Sequence, residues 1–271
     1  MKRVLVTPPT YFPVAIDEAK KHLRVDYSSD DAYITGLIAA ATDKVEGYLR
    51  RRLVTQTWKI FLDEWPAGDI VLPFGKLQSV THVKYTDTDG TQSTYYSSAE
   101  TTYMNIDIDS DPGRIKLNYG YSYPTASLSP DNPIEIQFVC GYGDHTPQTI
   151  TAASNATPVV LTIATHGRSA NDLALVHSVG GNTGANGTWK ITAPSADTIG
   201  LLGSVGNAAY TSGGKLICLQ VPEAIRQAIK LTISDMFENR EDVIIGMTAT
   251  VNLKAIISLL FPRILWPEVS A

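Results

Sequence analysis

Residues 221 to 241 read Val-Pro-Glu-Ala-Ile-Arg-Gln-Ala-Ile-Lys-Leu-Thr-Ile-Ser-Asp-Met-Phe-Glu-Asn-Arg-Glu, and no other stretch decides as much about the chain. The spacing predicts one amphipathic helix. Pro222 suits the first helical position, where no N–H is required, and Glu223 suits the positive end of the helix dipole. Ile225, Ala228, Ile229, Thr232, Ile233 and Met236 then fall on one stripe at i, i+3, i+4 spacing. Such a stripe has to bury against other elements.

Working outward, a short helix is predicted over 16–23, after Pro13. A longer one starts near Ser28, where Ser28 and Asp31 have capping-box spacing. Its stripe is Ile34, Leu37, Ile38, Ala41, Val45, Tyr48 and Leu49, and Arg50, Arg51 and Arg52 close its last turn. From Thr55 the period drops from 3.6 to 2. Strands are predicted at 57–62, 70–72 and 80–85, before Asp87-Thr88-Asp89-Gly90, an Asp-Gly hairpin signal. Further strands at 103–108, 114–118 and 134–140 make this middle region antiparallel β. Residues 147–217 change character, rich in Thr, Ala, Ser, Asn and Gly and poor in charge. Strands at 159–163, 173–176, 187–191 and 198–202 suggest a compact β-module, inserted at an exposed turn where loop-closure entropy tolerates it. Glu241 to Gly246 reads as a loop or short extended piece. Leu253, Ile256, Ile257 and Leu260 mark a last short helix, stopped by Pro262, beyond which Ile264, Leu265 and Trp266 remain apolar.

The fold class expected is therefore α+β. A four-helix bundle holds an antiparallel β-region between helices 2 and 3, followed by the inserted module. The expected domains are 1–54 with 218–271, then 55–146, then 147–217.

The chain has 271 residues, 44% hydrophobic and 18% charged, with a net charge of −5. That balance argues against tight, charge-driven nucleic-acid binding. Cys140 and Cys218 lack metal-ligand spacing, and reduced thiols are the expectation. No signal peptide or run of about 18 apolar residues is present, so a soluble protein made in a cytoplasm is expected, with no membrane partner. Catalytic patterns are missing too. His22, His82, His145, His166 and His177 are scattered, no His-Glu-x-x-His or Gly-x-Ser-x-Gly occurs, and Gly213-Gly214-Lys215-Leu216 lacks the Ser or Thr of a phosphate loop. Asp107, Asp109 and Asp111 alternate as Ca²⁺ ligands do, but Pro112 stands where that loop needs glycine and Asn118 where it needs Glu. A solvated turn is expected there, with no catalytic residue, metal or cofactor in the chain. Arg50, Arg51 and Arg52 complement the dipole at a helix C-terminus, leaving one arginine for a subunit or DNA contact.

Segments in order along the chain resemble the head–tail connector (adaptor) proteins of tailed bacteriophages. They are Tyr48 to Trp58, Ile70-Val71-Leu72-Pro73, Leu77-Gln78-Ser79-Val80, Val83-Lys84-Tyr85 with Asp89-Gly90, Pro112-Gly113-Arg114-Ile115, Phe138 to Gly143, and the helix at 221–241. The segment at 147–217 departs from that pattern. It is similar to small β-domains appended to phage tail and structural proteins, related in fold to a half-domain of ubiquitin-activating enzymes but without their cysteine chemistry. The resemblance implies a non-enzymatic virion protein without cofactor, made in the bacterial host cytoplasm. It implies a ring, typically of twelve copies, in the neck beneath the portal. The ring extends the channel for double-stranded DNA without binding it tightly, and docks the next neck or tail protein. It also implies a portal contact through Leu253, Ile256, Ile257, Leu260, Phe261, Ile264, Leu265 and Trp266. The alternative is an adhesive or carbohydrate-binding surface module, whose aromatics would be Trp189 and Tyr210.

Overall fold

The structure, a computed structural model, describes residues 1–143, 147–239 and 253–265. The expected loop at 241–246 lies outside the described residues. Two compact units are present: Met1–Pro9 with Asp43–Gly143 and Leu260–Ala271, and Thr10–Thr42 with Asp144–Leu259.

The first unit is built on β1 (Lys2–Thr7), β2 (Gln56–Leu62), β3 (Ile70–Val71), β4 (Leu77–Thr86), β5 (Gln92–Ser97), β6 (Met104–Asp107), β7 (Arg114–Leu117) and β8 (Ile134–Cys140). Five strands form an antiparallel sheet in the order β1-β2-β8-β4-β5, and β3-β7-β6 form a smaller one. Alternation places the core. Ile134, Ile136, Phe138 and Cys140 of central β8 are all buried while the residues between them are half-buried, as period 2 requires. Ile60, Leu72, Val83, Met104 and Ile115 join them. Past β8 the chain runs back beside 53–55, where Tyr142 N–H donates to Leu53 O and Thr55 N–H to Gly143 O. Gly141, at φ +129, sits so close that a Cβ would come within 2.5 Å of Val54 O, so only glycine fits. β1 was not expected from the sequence, because Val4-Leu5-Val6 does not alternate.

The second unit holds the helices and the module. They are α1 (Ile16–Leu23), the first part of α2 (Asp31–Leu49), α3 (Glu223–Glu238) and α4 (Leu253–Leu260), the last of which passes into the first unit at Leu260. On α3 the buried residues are Ile225, Ala228, Ile229, Thr232 and Ile233, as expected, and Met236 is half-buried. Arg226 is buried with them, which the stripe did not foretell. Pro222 is the N-cap rather than the first helical residue. The longer helix begins at Asp31, not near Ser28, and Asp31 gives its carboxylate to Lys20 Nζ at 2.7 Å instead of closing a capping box. Tyr48, placed on its apolar stripe, is 39% exposed. α1 packs on α3. α2 reaches α3 through Tyr33, whose ring lies 6.0 Å from that of Phe237 and whose hydroxyl donates to Met236 O.

The module adds β9 (Gln148–Thr149), β10 (Ala152–Ala153), β11 (Val160–Thr162), β12 (Leu173–Gly180), β13 (Gly187–Ser195), β14 (Thr198–Leu201) and β15 (Ser212–Cys218). They form one antiparallel sheet in the order β10-β11-β14-β13-β12-β15-β9. Its core, with Leu161, Val176, Ile191, Ile199 and Leu216, is a cluster of its own. Leu175, Ile217 and Leu219 form a second, smaller cluster against Ala15 and Leu173. Both cysteines are free and buried, and burial pushes the Cys140 thiol up to about 12. No described helix is long and apolar enough to cross a membrane.

Candidate functional site: an arginine-lined cleft

The end of α2 creates the most site-like concavity. Arg50 takes a left-handed conformation at φ +55, Arg50 N–H donates to Gly47 O, and Arg51 N–H to Glu46 O. This is a Schellman ending with arginine where glycine is usual. Arg24 ends α1 in the same way, so the conformation alone marks no site.

The turn points the three arginines in different directions. Arg51, nearly buried, binds Asp111 through Nη1 at 2.7 and 2.6 Å, and its Nε donates to Arg263 O at 2.6 Å. Gly75 at φ +61 makes room for that pair, since a Cβ there would lie 2.7 Å from Arg51 Nη1 and 2.9 Å from Asp111 Oδ1. Arg52 pairs with buried Glu46 at 2.7 Å and stacks over Trp58 and Phe74, 4.9 and 4.7 Å from their ring centroids. Glu46 also accepts from Leu53 N–H at 2.8 Å, which fixes the exit of the helix. Phe74 holds φ +78, rare for a bulky residue. Trp58, Arg52 and Arg3 pack around its ring, and its carbonyl accepts from Arg52 N–H.

Between these groups lies a cleft of about 590 Å³, whose walls include Met1, Arg3, Arg50, Val71, Phe74 and Leu265. Two carboxylates, Glu46 and Asp111, answer the four guanidiniums of Arg3, Arg50, Arg51 and Arg52. Arg3 has only the Phe74 ring, and the Arg50 side chain is exposed with no hydrogen bond or ion pair among the described residues. The site is therefore locally cationic on an acidic chain.

Of the C-terminal candidates, the structure brings Leu265 to the same place. Leu265 N–H donates to Leu49 O at 3.0 Å, satisfying a carbonyl that the helix end leaves open. Leu260 is buried, Ile256, Ile257, Ile264 and Leu265 are half-buried, and Phe261 is 55% exposed. Trp266 and the side chain of Leu253 lie outside the described residues. Ile264 and Leu265 were expected beyond any cover from their own chain. Instead the chain folds them back on the end of α2, because Arg51 and Leu49 supply backbone partners that an apolar pattern cannot reveal.

The acidic cluster is spent on its own chain. Asp107 closes a turn on Ser110 and pairs with Lys116; the Ser110 hydroxyl first, then Lys116 and the Ser110 amide, hold its carboxyl well below the usual range. Asp111 serves Arg51, and Asp109 is exposed. Among the described residues no group of three or more His, Cys, Asp or Glu could hold a metal. In the module, Trp189 donates to Ala185 O and Tyr210 to Gly213 O, both half-buried against the module core rather than set out as a sugar platform.

Residues 14–116 match the family of phage gp6-like head-tail connector proteins. Solved structures share the fold over 100% of this chain and 99% of theirs. They include the neck of an empty gene transfer agent particle computed with C6 symmetry (TM-score 0.58, 15% identity) and the virion of a native gene transfer agent particle (0.59, 16%). A third is the neck of the native particle computed with C12 symmetry (0.57, 16%). At such identity the likeness is one of fold, and it extends over the module as well. No curated protein sequence matches the chain. The family and these neighbours are structural parts of particles, not enzymes. The matched span takes in the end of α2, the Phe74 loop and the Arg51–Asp111 pair, so over residues 14–116 the chain is similar to the phage gp6-like head-tail connector family.

Proposed function

We propose that the chain is a structural neck protein, one subunit of a connector ring beneath the portal of a phage-like particle. The observation that carries this reading is the shared fold with neck subunits along the whole chain, joined to the connector match at 14–116. Twelve copies enclose and extend the DNA channel, one face meets the portal, and the other docks the next neck or tail protein. In the subunit, α4 completes a four-helix bundle with α1, α2 and α3. The domains we infer are 1–54 with 218–271, then 55–146, with 147–217 as a module set into the connector core.

The portal contact belongs to the C-terminal segment, from α4 through Phe261 to Trp266. Apolar area left in water costs about 25 cal/mol per Å², and Trp is favoured at interface hot spots. Arg263 O and Leu265 N–H are tied to Arg51 and Leu49, so a truncation that isolates the partner contact ends after Leu265. The truncated chain should keep its unfolding temperature and lose attachment to portal-bearing capsids in co-sedimentation. Unchanged attachment would remove Trp266 and the residues after it from the portal interface.

A further inference from the structure

Among the described residues two features of the first unit have no partner, and they adjoin. β1 is the edge of the five-stranded sheet, and all six of its residues are exposed, with Val4, Leu5 and Val6 at 38, 42 and 43%. A free edge presents a row of unpaired backbone N–H and C=O groups, and natural proteins cover or blunt such edges. Here nothing in the described residues covers it, and three consecutive apolar residues leave both of its faces open. The second feature is the cleft, which Met1 and Arg3 line, so the free edge runs directly out of a cationic concavity.

We propose that this combined surface receives an extended, carboxylate-bearing segment of a second copy of the chain. The segment adds as a strand to the free edge of β1 and places an Asp or Glu between Arg3 and Arg50. This rests on the ring reading above and names how its subunits join. Charge favours a copy of the chain as the occupant. The net charge is −5 although the cleft itself holds an excess of cations, so the remaining surface of each copy is more acidic still. In a cyclic ring the contact is head-to-tail, so the cleft meets a different surface of its neighbour and need not face another cleft. Strand addition supplies main-chain hydrogen bonds, and the arginine cleft supplies register through charge-assisted pairing. Duplex DNA fits the surface less well: two uncompensated cations in a small concavity neutralise few phosphates.

The test uses the full-length chain and the substitution Arg50→Gly. Glycine suits the left-handed φ at this position, so the variant should unfold at the same or a higher temperature, whereas a merely structural arginine would lower it. Sedimentation velocity should show half-assembly at a protein concentration at least tenfold above wild type. Raising salt from about 0.1 to 0.5 M should weaken wild-type assembly more than that of the variant. Amide exchange in residues 2–7 should slow on assembly. Equal assembly of the two chains, or unchanged exchange in β1, overturns the inference and leaves the ring reading standing. Loss of duplex DNA retention in the variant with assembly unchanged overturns it in favour of phosphate contact. A wild-type chain that stays monomeric and fails to join particles sinks the ring reading and this inference together.

Discussion

Glu135 on β8 shows how single charges pin the sheet. Lys59 Nζ and His82 Nε2 both lie 2.8 Å from its Oε1, tying β8 to β2 on one side and β4 on the other. Burial is the largest single influence and would raise its pKa. The hydrogen bonds and charges of Lys59 and His82 together outweigh it, and the carboxyl sits below its ordinary value. The sign follows: a carboxylate whose folded pKa is depressed contributes stability that is fully present above its unfolded value, and loses it as pH falls through the folded one. Glu135→Gln should therefore cost about 1.5–3 kcal/mol at pH 7, the range for hydrogen bonds to a charged group. The gap between variant and wild type should shrink below the normal carboxylate range, near pH 4. Urea unfolding at pH 7 and pH 3.5 measures both. Arg226 is the helical counterpart. Wholly buried, it donates to Pro13 O and pairs with Glu18 and Glu223, which Lys230 also reaches at 3.1 and 3.0 Å. Removing one partner of a buried pair strands the others, so Arg226→Ala should lower unfolding free energy by about 3–5 kcal/mol. A loss under 1 kcal/mol in a denaturant titration would mean that water replaces the guanidinium readily.

Elements differ in how far the sequence betrays them, and the reason is the kind of signal each depends on. α1 and the buried stripe of α3 follow from period 3.6, and β2, β4 and β8 from period 2 with turn residues between them. β1 and β15 were missed, since Val4-Leu5-Val6 is a continuous run and β15 carries Gly213-Gly214, residues depleted in strands. The cleft was half legible. Three adjacent arginines were visible at a helix end, but not that Asp111, 60 residues away, takes Arg51, that Glu46 takes Arg52, and that Arg50 alone is left over. Pairings at long separation are set by tertiary geometry and leave no local pattern. The module raises the same question for a whole element. Its main core is closed within residues 150–216, and the small cluster of Leu175, Ile217 and Leu219 reaches Ala15. Replacing 147–217 by a short Gly-Ser linker should leave a chain that unfolds cooperatively with its helical circular dichroism retained. Its midpoint should fall by a few degrees, consistent with a loss on the order of 1 kcal/mol. Aggregation with loss of helical signal would make the module part of the main core.

At the scale of the whole molecule, the ring proposed above makes the charge balance of the chain a property of its channel. A ring that conducts DNA works against itself if it grips phosphate, because each lysine or arginine that neutralises a phosphate releases a counterion and adds to affinity. This chain carries 22 Lys and Arg against 27 Asp and Glu, and Arg51 and Arg52 of its arginine cluster are already paired with carboxylates inside the subunit. Each further copy in a ring adds −5 to the total and deepens the negative potential that a passing duplex meets. The assembled protein should therefore retain a short DNA duplex only weakly at physiological salt, with a Kd above about 10⁻⁴ M, the weak end of non-specific protein–DNA binding. Fluorescence anisotropy across a salt series measures this. The expected result is a shallow dependence of the logarithm of affinity on the logarithm of salt, since few phosphates are neutralised. Micromolar binding with a steep salt slope would show a cationic lining that the net charge hides, and the channel would then hold its DNA.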